Sequence, residues 1–272
     1  SLFQWICRCE TRSGTTTLRD WLLEPAVPSE ILLRQDAIKE LAPRARLREE
    51  LQLLGRQLRD YPSGPDRMIE WTESPDWLLR RPWVTWLVRL LPALFVASGL
   101  TLLLWESGQP VWLALFSLLG CHFLLSLLFG GQVHTRFHHV SSGRGEVQNY
   151  LELFHLMEQE PAVATKLVSL QQQATLEHGG IHLRLRQLGA IMVLANLRHS
   201  AITFPLWLVL QLGLLWDFHV LAVLETWKRR HGSQVRSWFT ALGEYEALAS
   251  LAAVHHDDPD WSFPTIAPAG KP

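Results

Sequence analysis

The chain has 272 residues, with 25 Lys+Arg against 26 Asp+Glu and a formal net charge of −1. The balance is local as well as global: residues 1–81 carry 13 basic and 13 acidic side chains, and residues 131–272 carry 11 and 12, so the basic excess of a nucleic-acid module is missing. Hydrophobic residues make up 48% and charged residues 19%, which excludes intrinsic disorder, and three cysteines are too few for a disulfide framework.

The N-terminal stretch Ser1-Leu2-Phe3-Gln4-Trp5-Ile6-Cys7-Arg8 is too short and lacks a cleavage pattern, so it is not a signal peptide. With no initiating Met, the chain reads as a piece of a longer protein. Cys7-x-Cys9 has no further Cys or His at zinc-like spacing and reads as ordinary, partly buried thiols. Residues 15–23 form a short helix that Pro25 ends. Ser29 and Glu30 suit the start of the next helix, which carries Ile31, Leu32, Gln35, Ile38 and Leu41. A further helix runs from about Arg44 to Arg59, with Leu47, Leu51, Leu54 and Leu58 on one face, and Pro62-Ser63-Gly64-Pro65 breaks it.

Then the composition changes. The 49 residues from Pro82 to Gly130 hold two formal charges, Arg89 and Glu106. Leu87–Trp105 and Val111–Gly130 give helices of about 28 and 30 Å at 1.5 Å per residue, the thickness of a bilayer core. Glu106-Ser107-Gly108-Gln109-Pro110 is the polar turn between them. Trp83 and Trp86 at the entrance, and Trp105 and Trp112 around the turn, occupy the positions of an interfacial aromatic belt. Arg80, Arg81 and Arg89 precede the hairpin and Arg136 and Arg144 follow it, while the turn has no basic residue, which places both ends in the cytoplasm. A hairpin buried at the centre of a soluble bundle is the competing reading.

Beyond it, Glu146–Gln159 carries Val147, Tyr150, Leu151, Phe154 and Met157 on one face; Pro161 restarts the helix and Gly179-Gly180 caps the next end. Helices follow over Ile181–His199, Phe218–His231 and Val235–Val254. Ala201–Trp216 is uncharged but contains Pro205 and runs into Asp217, so it reads as a packed or interfacial helix. No period-two stretch of useful length occurs, and the fold class is all-α.

Motifs with chemistry are missing. There is no GxxxxGK[ST] phosphate loop, and Arg12-Ser13-Gly14-Thr15-Thr16 lacks the Lys. No GxSxG elbow occurs. His134, His138 and His139 stand at i, i+4 spacing without a carboxylate in register and read as a polar interfacial patch. His255-His256-Asp257-Asp258 reads as a solvated helix end. No catalytic residue, metal site or cofactor site is expected in this chain.

Two segments resemble a known family. Thr11-Arg12-Ser13-Gly14-Thr15-Thr16-Thr17-Leu18-Arg19-Asp20-Trp21-Leu22-Leu23-Glu24-Pro25, followed by Ile31 to Leu41 with Arg34-Gln35, is similar to the opening of the core domain of the MutS mismatch-repair ATPases, T-x-x-G-x-x-x-L-R-x-W-L-x-x-P then I-x-x-R-Q-x-A-V-x-x-L. Leu242-Gly243-Glu244-Tyr245-Glu246-Ala247-Leu248-Ala249-Ser250-Leu251-Ala252 resembles that family's lever helix, E-x-D-x-L-A-S-L-A, and Trp261-Ser262-Phe263-Pro264 matches the extended segment after it. The resemblance implies structural roles: a tight helix entry at Gly14, packing by Trp21 and Leu22, a stop at Pro25, a polar core contact from Arg34 and Gln35, and lever packing by Ala249, Ser250 and Leu251. It implies an ATPase domain, with ATP and Mg, beginning after Pro272.

Where the family has a DNA-gripping clamp, this chain has the apolar hairpin, as a membrane-associated MutS-like branch would. Residues 1–81 and 131–272 are then the two parts of the core, with 82–130 inserted between them. The expected partners are a membrane, a second copy of the chain in a homodimer, and DNA only through the full-length protein. The alternatives are a membrane scaffold or oligomerisation module without repair activity, and a DNA-binding repair protein with the hairpin buried.

Overall fold

Apolar residues recur at helical spacing along most of the chain, and the structure, a computed structural model, is built of helices. It describes residues 2–58, 64–104, 108–141, 144–175 and 180–266, and no strand occurs among them. The α-helices are α1 (Leu2–Ile6), α2 (Arg12–Leu23), α3 (Pro28–Leu41), α4 (Ala45–Arg56), α5 (Gly64–Glu73), α6 (Pro82–Leu104), α7 (Gln109–Ser141), α8 (Arg144–Gln159), α9 (Thr165–Thr175), α10 (Gly180–Ala195), α11 (Phe204–Leu214) and α12 (Trp216–Asp257). The chain divides into two units: Ser1–Asp66, Gly145–Arg186 and Gln234–Pro272 form the first, and Arg67–Arg144 with Gln187–Ser233 the second.

Local chemistry accounts for the boundaries. Thr11 caps α2, its side chain accepting the Gly14 N–H, and Pro25 forces Glu24 into extended backbone, which stops the helix at Leu23. Helix α3 begins one residue before Ser29: Pro28 takes the first position, where its missing N–H costs nothing, and Ser29 makes no cap. Pro161 does not restart a helix. Residues 161–164 stay non-helical because Glu40 accepts the Val163 N–H at 3.0 Å and that of Ala164. Gly180 begins α10 with a positive φ of 72°.

The first unit closes around fully buried Leu18, Leu41, Phe154, Met157, Trp238 and Tyr245, each contributing about 1.5–3 kcal/mol by leaving water. Phe239 meets Tyr150 and Phe154 edge-on at 4.9 and 6.0 Å. In the second unit Trp71 stacks on Trp227 at 6.0 Å, and α6, α7 and α11 pack on one another. Where the sequence reads two helices, Phe218–His231 and Val235–Val254, α12 is a single helix of 42 residues. Gly232 lets α12 approach α5, since a Cβ there would lie 3.3 Å from the Thr72 carbonyl oxygen.

Candidate functional site

Three sets of residues stand apart from ordinary packing: a buried carboxylate node on α12, a second carboxylate clamp on the same helix, and the outer face of the hairpin.

The node centres on Glu246, 4% exposed. One carboxylate oxygen accepts the N–H groups of Glu10 at 3.5 Å and Thr11 at 3.4 Å, and the other accepts the Thr11 hydroxyl. That hydroxyl in turn accepts the Gly14 N–H at 3.1 Å. Burial pushes the Glu246 carboxyl up to about 7 against the pull of the Thr11 and Glu10 hydrogen bonds. Burial, and then the nearby Glu246 carboxylate, also pushes the Cys9 thiol up, so Cys9 is an inert thiol rather than a thiolate. One turn along α12, the Ser250 hydroxyl donates to the Ile6 carbonyl at 2.8 Å and accepts the Arg8 N–H at 2.7 Å.

The residues singled out in sequence gather here. Gly14 lies in the first turn of α2, its N–H on the Thr11 cap, and leaves space for Glu246: a Cβ on it would lie 2.9 Å from the Glu246 Cβ. Gly243 answers it from the other side, where a Cβ would sit 2.8 Å from the Ser13 carbonyl oxygen. Trp21 and Leu251 pack against the cluster of Ile6, Leu18 and Ala247, and Ala249 is buried. Arg34 lays its guanidinium 3.7 Å over the Trp21 ring and pairs with Glu30 at 3.0 Å. Gln35 donates to the Pro264 carbonyl at 3.1 Å, tying down the extended segment. Leu22 does not pack: in the last turn of α2 it has passed beyond the core and is 41% exposed.

Lys166 bridges Glu30 at 2.9 Å and Glu244 at 2.6 Å, joining α9, α3 and α12. Burial alone would lower the Lys166 ammonium; the two carboxylates more than offset it and hold the group above its ordinary value.

The second clamp is Glu225, 4% exposed, whose carboxylate accepts three successive N–H groups, from Trp77 at 2.7 Å, Leu78 at 3.0 Å and Leu79 at 2.8 Å. Lys228 donates to the Ser74 hydroxyl at 2.9 Å, and Arg229 pairs with Asp76 at 2.7 Å. The loop that leads into α6 is thereby fastened to α12. Sequence reasoning missed both clamps, because a carboxylate that captures backbone N–H groups far along the chain leaves no local spacing.

The hairpin is inverted relative to a soluble core. Only 11% of the apolar stretch of α6 and 6% of that of α7 is buried. Leu103 is 81% exposed, and Leu113, Leu127 and Phe116 exceed 60%. A contiguous surface of this kind marks contact with a membrane or a partner. Both helices have the length and composition of membrane spans. Trp83, Trp86 and Trp112 are at least half exposed, and Trp105 lies outside the described residues. The side chains of His134, His138 and His139 also lie outside them. Among the described residues no group of three His, Cys, Asp or Glu side chains converges as a metal would require, and the three cysteines are free.

Chemically, these groups hold and position backbone. Compared with known proteins, the chain matches no family model, no curated protein and no solved structure.

Proposed function

We propose that this chain is the helical core and lever region of a membrane-anchored MutS-like ATPase, coupling nucleotide state in a domain beyond Pro272 to the apolar hairpin. The observation that supports the reading is the meeting of the two resembling segments at their motif positions. Gly14 faces Glu246, Gly243 faces Ser13, and Trp21 stacks with Arg34. Glu246 stands where the family pattern has Asp, and a longer carboxylate at that position requires the space that Gly14 leaves. The clamps supply a route for coupling: α12 carries both the node at Glu246 and the grip of Glu225 on the loop entering α6. In this reading the hairpin spans the bilayer with both ends on the cytoplasmic side, where ATP is found. The chain works as a homodimer, and DNA is not held by this region, whose charge is balanced.

Two measurements test the proposal. The reading frame downstream of Pro272 should encode a strand followed by a GxxxxGK[ST] loop; another kind of domain there would leave a membrane scaffold as the better account. Carbonate extraction of the full-length protein should leave it in the membrane pellet, and release into the supernatant would overturn the spanning hairpin.

A further inference from the structure

We infer that the elbow formed by α11 and the start of α12 is a third membrane element, a re-entrant segment beside the hairpin whose partner is bilayer hydrocarbon. The inference rests on the reading of α6 and α7 as membrane spans.

Polarity is the first argument. Helix α11 has one polar side chain, Gln211, and it is 5% exposed, whereas Leu206 and Val209 are 55% and 69% exposed. A helix on a water-facing surface has the opposite arrangement. Most polar groups at the elbow are satisfied internally, while the buried Nε2 of His122 has no hydrogen-bond partner. Gln211 donates to the Ser126 hydroxyl at 3.0 Å and accepts the Asp217 N–H at 2.9 Å. Asp217 accepts the Trp207 indole N–H at 2.9 Å, with the Arg198 guanidinium 3.6 Å away. His122 Nδ1 lies 2.7 Å from the Leu212 carbonyl oxygen, one of the acceptors a helix end leaves open. A carbonyl only accepts, so His122 carries its proton on Nδ1. In hydrocarbon, where an unpaired polar group costs several kcal/mol, internal pairing of Gln211 and Asp217 is strongly favoured.

Depth is the second. At the hairpin entrance Phe129 meets Trp77 at 5.6 Å and Trp83 at 6.3 Å. Ser126 and His122 lie three and seven residues before Phe129, toward the hairpin turn, about 5 and 10 Å from it at 1.5 Å per residue. Gly213 faces Phe95 of α6, with a ring carbon 3.6 Å from where its Cβ would be. The elbow therefore sits against the interior of the hairpin, not at its rim.

Path is the third. The 11 residues of α11 rise about 16 Å, roughly half of a 30 Å hydrocarbon core. The chain bends by 85° between α11 and α12, with Leu215 in the left-handed region at φ 53°. Ten residues later Glu225 holds the N–H groups of Trp77 to Leu79, just before α6 begins. By Glu225 the segment has returned to the face by which the hairpin enters, as a segment that dips into the bilayer and comes back does.

The test uses the full chain with Cys7, Cys9 and Cys121 replaced by Ser, reconstituted in vesicles of phosphatidylcholine and phosphatidylglycerol. Single cysteines are placed at Leu206→Cys and Val209→Cys on α11, at Leu113→Cys and Leu127→Cys on the hairpin, and at Val163→Cys, which is 84% exposed in the first unit. Each is labelled with an environment-sensitive fluorophore and challenged with bromine-labelled lipid and with aqueous iodide. The α11 probes should show the blue-shifted emission and loss of intensity to bromolipid seen for the hairpin probes, while the Val163 probe loses intensity only to iodide. If the hairpin probes lose intensity to lipid and the α11 probes only to iodide, the re-entrant element is overturned and the hairpin stands. Loss to iodide alone at all sites overturns both.

Discussion

Replacing Glu246 by Gln isolates the buried node. The carboxyl is pushed from its ordinary 4.5 up to about 7 by burial. Between those values the folded protein holds a proton that the unfolded chain has released. The stabilisation linked to that proton is present in full below pH 4.5 and is lost as the pH rises through about 7. A shift of this size corresponds to about 3 kcal/mol at about 1.4 kcal/mol per pH unit. The amide of Gln keeps the shape and an oxygen for the Thr11 N–H but does not ionise. Glu246→Gln and the parent chain should therefore be similar in stability near pH 4.5, and the variant should be the more stable by up to about 3 kcal/mol at pH 8.5. Denaturant titration of both proteins in the same detergent across that range gives the difference, in which the titration of other groups cancels. Amide hydrogen exchange at Thr11 gives a local readout. A difference that does not change with pH, or a variant less stable at pH 8.5, would refute the reasoning, since the carboxylate would then be as well solvated in the fold as outside it.

Gly14→Ala should destabilise the first unit by about 1–3 kcal/mol despite the gain in helix propensity, because its Cβ meets Glu246 Cβ at 2.9 Å and Glu246 is fully enclosed; thermal melting of the variant checks this. Removing the second clamp with Glu225→Ala leaves three N–H groups at Trp77, Leu78 and Leu79 without their acceptor. The expected cost is about 3 kcal/mol or more, read as faster exchange at those three amides, with Glu225→Gln intermediate. Leu124→Arg places a charge near the middle of α7 at a position already 52% exposed. In a bilayer it costs about 2.5–3.5 kcal/mol and lowers the fraction recovered in membranes, whereas on a water-facing helix it would leave that fraction unchanged.

The sequence by itself determined what depends on neighbours along the chain. Helical periodicity set the all-α class, and Pro25 set the end of α2 through the extended backbone it imposes on Glu24. The length and uniform apolarity of residues 82–130 marked two helices long and apolar enough to cross a membrane, because hydrophobic thickness is a property of a contiguous segment. Tertiary structure decided everything that depends on distant residues meeting. Thr11 and Glu246 are 235 positions apart, and only their contact shows that Gly14 provides space for a carboxylate. The sequence reads two helices, Phe218–His231 and Val235–Val254, yet Gly232 between them is a close-packed point of a single helix, where Thr72 lies against the volume its missing side chain leaves. Gln211 gave no sign in sequence of which way it faced, for a single polar residue in an apolar run fits a core, an interface or a bilayer equally. Its bonds to Ser126 of α7 and to the Asp217 N–H of α12 turn it inward, because a buried amide must find partners.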